Sequence, residues 1–407
     1  MTDGTPNRSD SSNSSIGRRD SLKVLGSTIP LVAGSSLSLG SVAAQSDTDD
    51  PDVSVREALT VARAVAEDAS RKEAYNDFSA GRVERPELYY SLTREEATTD
   101  LVPTAYVFPV TDDDDHVGHI TVAAQSTMPP VLEYATTPAP HVNLGRVGAR
   151  TDSSLSSGKQ FLYQGPLSFG VSAVTKTTGE LGEQFIDLER GLSYDLEIAP
   201  RINPNTGADR SEQWESVLES SDDVAAFSVA PQSSGSISGV PNWTDTGFSD
   251  WPGCSPIAAA MSLGYHETNP SRTDLIDGLN DAMDTDSDGM TWPQNIPSGI
   301  EDYDSSYSAS NNYIGRPSAA KGGVNNNNPP IVSTLGDKED GKGDTADVSP
   351  DSWDSLVGHS ETVVGYEEDS SILGTDLYLD THNTWGGTRT LLVGDYWETY
   401  MITEIEP

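Results

Sequence analysis

The stretch Asp250-Trp251-Pro252-Gly253-Cys254-Ser255-Pro256-Ile257-Ala258-Ala259-Ala260-Met261 holds the only cysteine of the chain. Gly253 closes a loop. Pro256 suits a first helical turn, where its missing N–H costs no hydrogen bond. Ala258 to Tyr265 then reads as helix. The pattern predicts Cys254 at a helix N-terminus, where free N–H groups and the helix macrodipole favour a thiolate. A thiolate there is a nucleophile, and the backbone N–H beside it is a donor for an oxyanion. By itself the same pattern also describes a small core residue at the start of an Ala-rich helix.

Two downstream segments add to it. In Val357-Gly358-His359-Ser360-Glu361-Thr362-Val363-Val364-Gly365-Tyr366 a histidine opens an apolar strand. A strand start puts an imidazole at a sheet edge, within reach of a facing helix terminus. In Leu377-Tyr378-Leu379-Asp380-Thr381-His382-Asn383-Thr384-Trp385-Gly386-Gly387 a strand ends in polar residues followed by Trp-Gly. An amide or carboxylate there can hold the second imidazole nitrogen and fix its tautomer. The tryptophan can shield that bond from water. Asp380 and Asn383 both qualify, with Asn383 favoured because Trp-Gly follows it. His382 reads as a solvated neighbour.

At these three segments the chain resembles the papain-like cysteine peptidases, most closely their C39-like branch. The residues that carry the likeness are Gly253 to Met261, Gly358 to Tyr366, and Asp380 or Asn383. Asn383-Thr384-Trp385-Gly386 also looks like the Asn-Ser-Trp-Gly of papain. Met283 to Trp292 resembles a family segment that precedes a short helix, and Pro329-Pro330-Ile331-Val332 the strand before the His strand. The resemblance covers about residues 236–405. It implies an α+β, papain-like catalytic domain in which a Cys-bearing helix packs on an antiparallel sheet bearing His and Asn. It also implies a catalytic triad of Cys254, His359 and Asn383, with Asp380 as the alternative third member. One position departs from the family. Where a Gln shortly before Cys serves as an oxyanion donor, this chain has Val240-Pro241-Asn242-Trp243-Thr244-Asp245. Asn242 and Asp245 are therefore the oxyanion-hole candidates, and an ionised Asp245 would repel the charge it should stabilise.

The rest of the chain fits around this core. Residues 1–44 carry Arg18-Arg19 before a weakly apolar, Gly/Ser-punctuated run, which resembles a twin-arginine export signal and predicts a secreted protein. Residues 45–53 form an acidic linker. Residues 54–227 read as a strand-rich α+β N-terminal domain. Its helix starts at Ser54 with Glu57 completing a capping box, and Val55, Leu59, Ala62, Val65, Ala66 and Ala69 share one face. Strands are expected at Ala105–Val110, Gly118–Ala123 and Pro130–Tyr134, the first two joined by a hairpin at Asp112–Asp115. This domain resembles the pro-regions of some secreted cysteine peptidases, and an accessory domain that stays attached is the equal alternative. A Ser/Gly/Pro-rich linker spans 228–241, and residues 242–407, with six of the seven tryptophans, form the catalytic domain.

Composition narrows the partners. The 407-residue chain has a formal net charge of −40, which argues against nucleic acid and suits a protein kept hydrated in concentrated salt. One cysteine excludes an intramolecular disulfide framework or a multi-Cys zinc site. The leader is too interrupted to span a membrane. Asp284-Thr285-Asp286-Ser287-Asp288-Gly289 resembles the start of a calcium loop, but Asn295 stands at the twelfth position and Pro293 intrudes, so no cofactor is expected, with calcium on Asp284, Asp286 and Asp288 in a non-EF-hand geometry as the weaker alternative. His116 and His119 read as part of a solvated hairpin. The function expected is hydrolysis of peptide bonds in an extracellular protein or peptide. The alternatives are an inactive papain-like binding or cell-surface module and another thiol acyl-transfer enzyme, such as an amidase or a transglutaminase-like one.

Overall fold

The computed structural model describes residues 50–92, 101–113, 115–144, 160–177, 180–189, 193–195, 210–220, 233–249, 251–287, 289–313, 316–334, 359–371, 374–394 and 400–407. The leader at 1–44, most of the acidic linker, Gly358 and Asp288 lie outside the described residues. Ser46–Pro407 form one compact unit, to which all the elements named belong.

Helix α1, Val55–Ala69, begins as its capping box dictates. The Ser54 hydroxyl accepts from the Glu57 N–H at 3.2 Å, and the Glu57 carboxylate accepts from the Ser54 N–H at 2.9 Å. The face it buries is Ala58, Val61, Ala62, Val65, Ala66 and Ala69. Val55 is exposed and Leu59 only half-buried, so the apolar stripe is rotated from the one expected. Helix α2 spans Ser211–Ser220. The C-terminal half adds α3, Cys254–His266, α4, Arg272–Ala282, α5, Asn295–Tyr303, and α6, Arg316–Asn325.

One sheet of sixteen strands among the described residues runs through both halves. From one end its order is Ser308–Asn312, Tyr400–Glu406, Ile331–Thr334, Ser360–Ser371, Gly374–His382, Thr388–Val393, Val131–Ala135, Asp115–Ala123, Leu101–Asp112, Glu87–Leu92, Phe161–Tyr163, Phe169–Thr177, Glu180–Asp187 and Ser193–Asp195. Neighbours are antiparallel except Glu87–Leu92 with Phe161–Tyr163. The expected hairpin is present, with Asp112 opposite Asp115 and Asp113 in the left-handed conformation an Asp tolerates. The two halves meet where Arg389, Thr390 and Leu391 pair with Ala135, Tyr134 and Glu133. The expected linker is in part a strand: Ser233–Ser236 pairs with Gly365–Glu368 of the His strand.

Helix α3 is apolar all round and buried on every side from Cys254 to Gly264, which places it at the centre of the C-terminal half. Its close approach to the chain at Trp243 needs Gly264, because a Cβ there would sit 2.6 Å from the indole ring. Polar ties set its position on the sheet. The Thr362 hydroxyl donates to the Ala258 carbonyl at 2.8 Å, and the hydroxyls of Ser255, Ser360 and Ser333 form a chain at 2.9 and 2.8 Å. No helix among the described residues is long and apolar enough to cross a membrane.

Candidate active site

Cys254 is the first residue of α3, as its sequence context predicts, and is almost completely buried. Gly253 before it has φ 89°, and a Cβ there would lie 2.7 Å from the Gly289 carbonyl oxygen. Only glycine fits that turn. No side chain caps the helix start.

His359 lies one residue before the strand Ser360–Ser371. Its backbone is fixed on both sides: its N–H donates to Thr334 Oγ1 and its carbonyl accepts from the Thr334 N–H, each at 2.9 Å. The ring is 1% exposed and is brought to the Cys254 thiol. Burial disfavours its charge, but the negative sulfur of Cys254 and the nearby Glu361 carboxylate outweigh it and raise the imidazole to about 9. Trp385 stacks on this ring at 4.5 Å between centroids and 16° between planes, and Trp251 stacks on Trp385 at 6.2 Å and 7°.

The remaining expected residues are distributed around this pair. Asn383 is fully buried. Its Oδ1 accepts from the N–H groups of Trp385 and Gly387 at 3.1 and 2.7 Å, so it holds the turn that carries Trp385 onto the imidazole. Asp380 takes the opposite face of its strand, accepting from Thr390 Oγ1 at 2.5 Å with Lys72 Nζ at 3.8 Å. His382 is not solvated but half-buried. Its Nδ1 lies 3.1 Å from the Pro241 carbonyl, and burial lowers its pKa. Asn242 Nδ2 donates to the Gly387 carbonyl at 3.2 Å. Asp245 is half-exposed in a turn whose carbonyl accepts from Phe248 N–H at 3.1 Å. Thr244 bridges to Trp385, so segment 241–245 straps the Trp385 turn. Asp286 Oδ1 accepts from Met290 N–H at 2.9 Å, and no group of three or more His, Cys, Asp or Glu side chains is arranged to hold a metal among the described residues.

The residue that sequence reasoning missed is Glu361. Its Oε1 lies 3.5 Å from His359 Nε2, and its Oε2 accepts from Thr381 Oγ1 at 2.5 Å. Arg389 Nε lies 3.5 Å from the same Oε1. Burial alone would raise this carboxyl, but Arg389, His359 and the Thr381 hydroxyl hold it below the usual carboxylate range. The only local signal was spacing: two residues beyond a strand histidine is the next side chain on the same face. His119 was also misread. It is fully buried, with Nδ1 at 2.8 Å from the Thr137 carbonyl and Nε2 at 3.4 Å from Glu133 Oε1.

Beside the Cys254 loop a hollow of about 270 Å³ is lined by Phe248, Trp251, Pro252, Asp277, Asn280 and Thr285. A thiol at a helix start with an imidazole beside it is an arrangement suited to nucleophilic attack on a carbonyl. Residues 236–400 match the model of the Peptidase_C39 like family. No curated protein matches the chain.

Proposed function

Residues 236–400 being a segment of the C39-like family of papain-like cysteine peptidases, we propose that the chain hydrolyses peptide bonds through Cys254 and His359. The observation that carries this reading is the buried Cys254 at the first position of α3 with the buried His359 imidazole beside it, a neighbourhood that raises the imidazole to about 9. An imidazolium that persists at neutral pH favours a thiolate partner, the form that attacks. In this reading Cys254 adds to the scissile carbonyl, and His359 gives its proton to the leaving amine. It then takes a proton from the water that releases the acyl group. The developing oxyanion is met by backbone N–H at the start of α3. Asn242 is engaged with Gly387, and Asp245 is a carboxylate; neither is needed in that role. Asn383 acts by fixing the Trp385 turn over the imidazole.

The substrate is an extracellular protein or peptide, the enzyme works in concentrated salt, and the leader directs twin-arginine export. These follow from the leader and the charge of −40. The test is to express the chain in molar KCl and treat it with iodoacetamide near neutral pH. Labelling of Cys254 that is lost in His359→Ala, together with casein cleavage, is the expected result. An unreactive folded chain that leaves casein intact would favour the inactive binding module. Reactivity towards small amides with casein uncut would favour an amidase. Export that survives replacement of Arg18 and Arg19 by lysine would refute the assigned route.

A further inference from the structure

The imidazole is the end of a buried polar row that crosses from one half of the sheet into the other. In the ladder, Val363 lies opposite Thr381, Thr381 opposite Arg389, Arg389 opposite Ala135, and Ala135 opposite His119. Directly opposite residues share a face, and so do residues two apart on one strand. Along this face come Glu361, Thr381, Arg389, Glu133 and His119. Arg389 is completely buried. Its Nε lies 3.5 Å from Glu361, its Nη1 3.7 Å from Glu133, and its Nη2 donates to Glu189 at 2.6 Å. Three carboxylates therefore surround one guanidinium, and two of the three belong to residues before 190.

We propose that Glu361 is the positioning carboxylate for His359, and that the N-terminal half completes the site permanently by holding Arg389 through Glu133 and Glu189. This rests on the thiol-peptidase reading and adds to it. The physical argument is one of balance. A buried carboxylate stays ionised only against a matched cation, and a buried guanidinium needs its fork filled. Glu361 can hold the imidazole only while Arg389 neutralises it, and Arg389 keeps its place only while Glu189 accepts from Nη2 and the charge of Glu133 flanks Nη1. Removing residues 54–227 would strip two of those three carboxylates. It would also leave the strand Thr388–Val393 unpaired on one side, exposing the buried charge to water. The N-terminal half is thus a working part of the site and not a cover to be cleaved away.

The charged groups around the imidazole are Cys254 from α3, Glu361 from its own strand, and Arg389 and Glu189 beyond it; His382 lies opposite Thr362, on the other face of the adjoining strand, and feels Glu361 only through space. The test titrates His359 in the full chain by imidazole-nitrogen NMR in molar KCl, a readout independent of turnover. Glu361→Gln should lower the His359 midpoint from about 9. It should also slow Cys254 alkylation at pH 7 by roughly tenfold or more, the usual cost of losing an orienting partner. Glu361→Asp should restore part of both. Glu133→Gln combined with Glu189→Gln should move the midpoint in the same direction, although neither residue touches the ring. That double variant serves if Glu361→Gln does not fold. A His359 midpoint unchanged by Glu361→Gln overturns the positioning role. A midpoint unchanged by the double variant, or full reactivity in a chain cut at 228–232 and freed of its N-terminal half, overturns the permanent role of that half. An unreactive Cys254 in the parent chain would defeat the peptidase reading while the titration still decides this one.

Discussion

Trp385 covers the imidazole on one side and is itself covered by Trp251. Offset aromatic contacts of this kind contribute about 0.5–1.5 kcal/mol beyond the area they bury. Trp385→Ala should therefore cost about 2–4 kcal/mol in chemical unfolding, given that the indole is only half-buried. It should lower kcat more than KM, because the imidazole loses a wall and not a substrate contact. His359 makes a second prediction, with a definite sign. Its pKa is raised in the fold from 6.5 to about 9. The imidazolium's contribution to stability is thus fully present below about pH 6.5 and is lost as pH rises through about 9. Melting temperatures of the parent should fall over that range more steeply than those of His359→Gln; parallel curves would refute the raised value. At this scale the places of Cys254 at a helix start and His359 at a strand start were legible because helix-start chemistry and strand patterning are local. Glu361 was legible only as a side chain on the same face as His359; its role was not, because it depends on Arg389, which comes from another strand.

Helix α3 is placed by its first turn. Gly253 has a positive φ and a blocked Cβ direction, so Gly253→Ala should cost about 1–3 kcal/mol. It should also displace the thiol, with alkylation of Cys254 slowed even where the chain remains folded by circular dichroism. A rate equal to the parent's would show that the turn does not set the thiol. The hydroxyl chain Ser255–Ser360–Ser333 fixes the helix against the His strand. The strands at 101–112, 115–123 and 131–135 were readable from alternation and β-branched content, and α1 from its cap. The Ser233–Ser236 strand was not, because Ser and Gly carry no strand preference. It forms by pairing with the His strand, a long-range gain that no local pattern records.

The sheet joins both halves through the Thr388–Val393 and Val131–Ala135 pairing, with Arg389 and Glu133 buried at the seam. Separate domains would unfold separately, whereas a shared sheet with a buried charge network couples them. Tryptophan fluorescence, dominated by residues after 242, and the far-ultraviolet signal of the whole chain should give coincident denaturant midpoints. Two separated transitions would contradict the shared core. The charge of −40 predicts a further outcome. Lowering KCl from molar to about 0.1 M lengthens the screening distance from about 3 to 10 Å and should lower that common midpoint. The seam was illegible in the sequence because a Ser/Gly/Pro-rich stretch between two patterned segments reads as a boundary. Pairing of residues some 250 apart leaves no mark on either.

The strand Tyr400–Glu406 has a consequence for how the molecule is made. It is inserted between Ser308–Asn312 and Ile331–Thr334, and buries Tyr400, Met401, Ile402 and Ile405 there. Those two strands have no other route to each other in the sheet. A nascent chain emerging from the ribosome therefore carries Ser308–Asn312 well before the strand that ties it to the sheet has been made. The edge strand Ser308–Asn312 can join the sheet only after residues 400–406 have been synthesised, so that edge closes at the very end of translation.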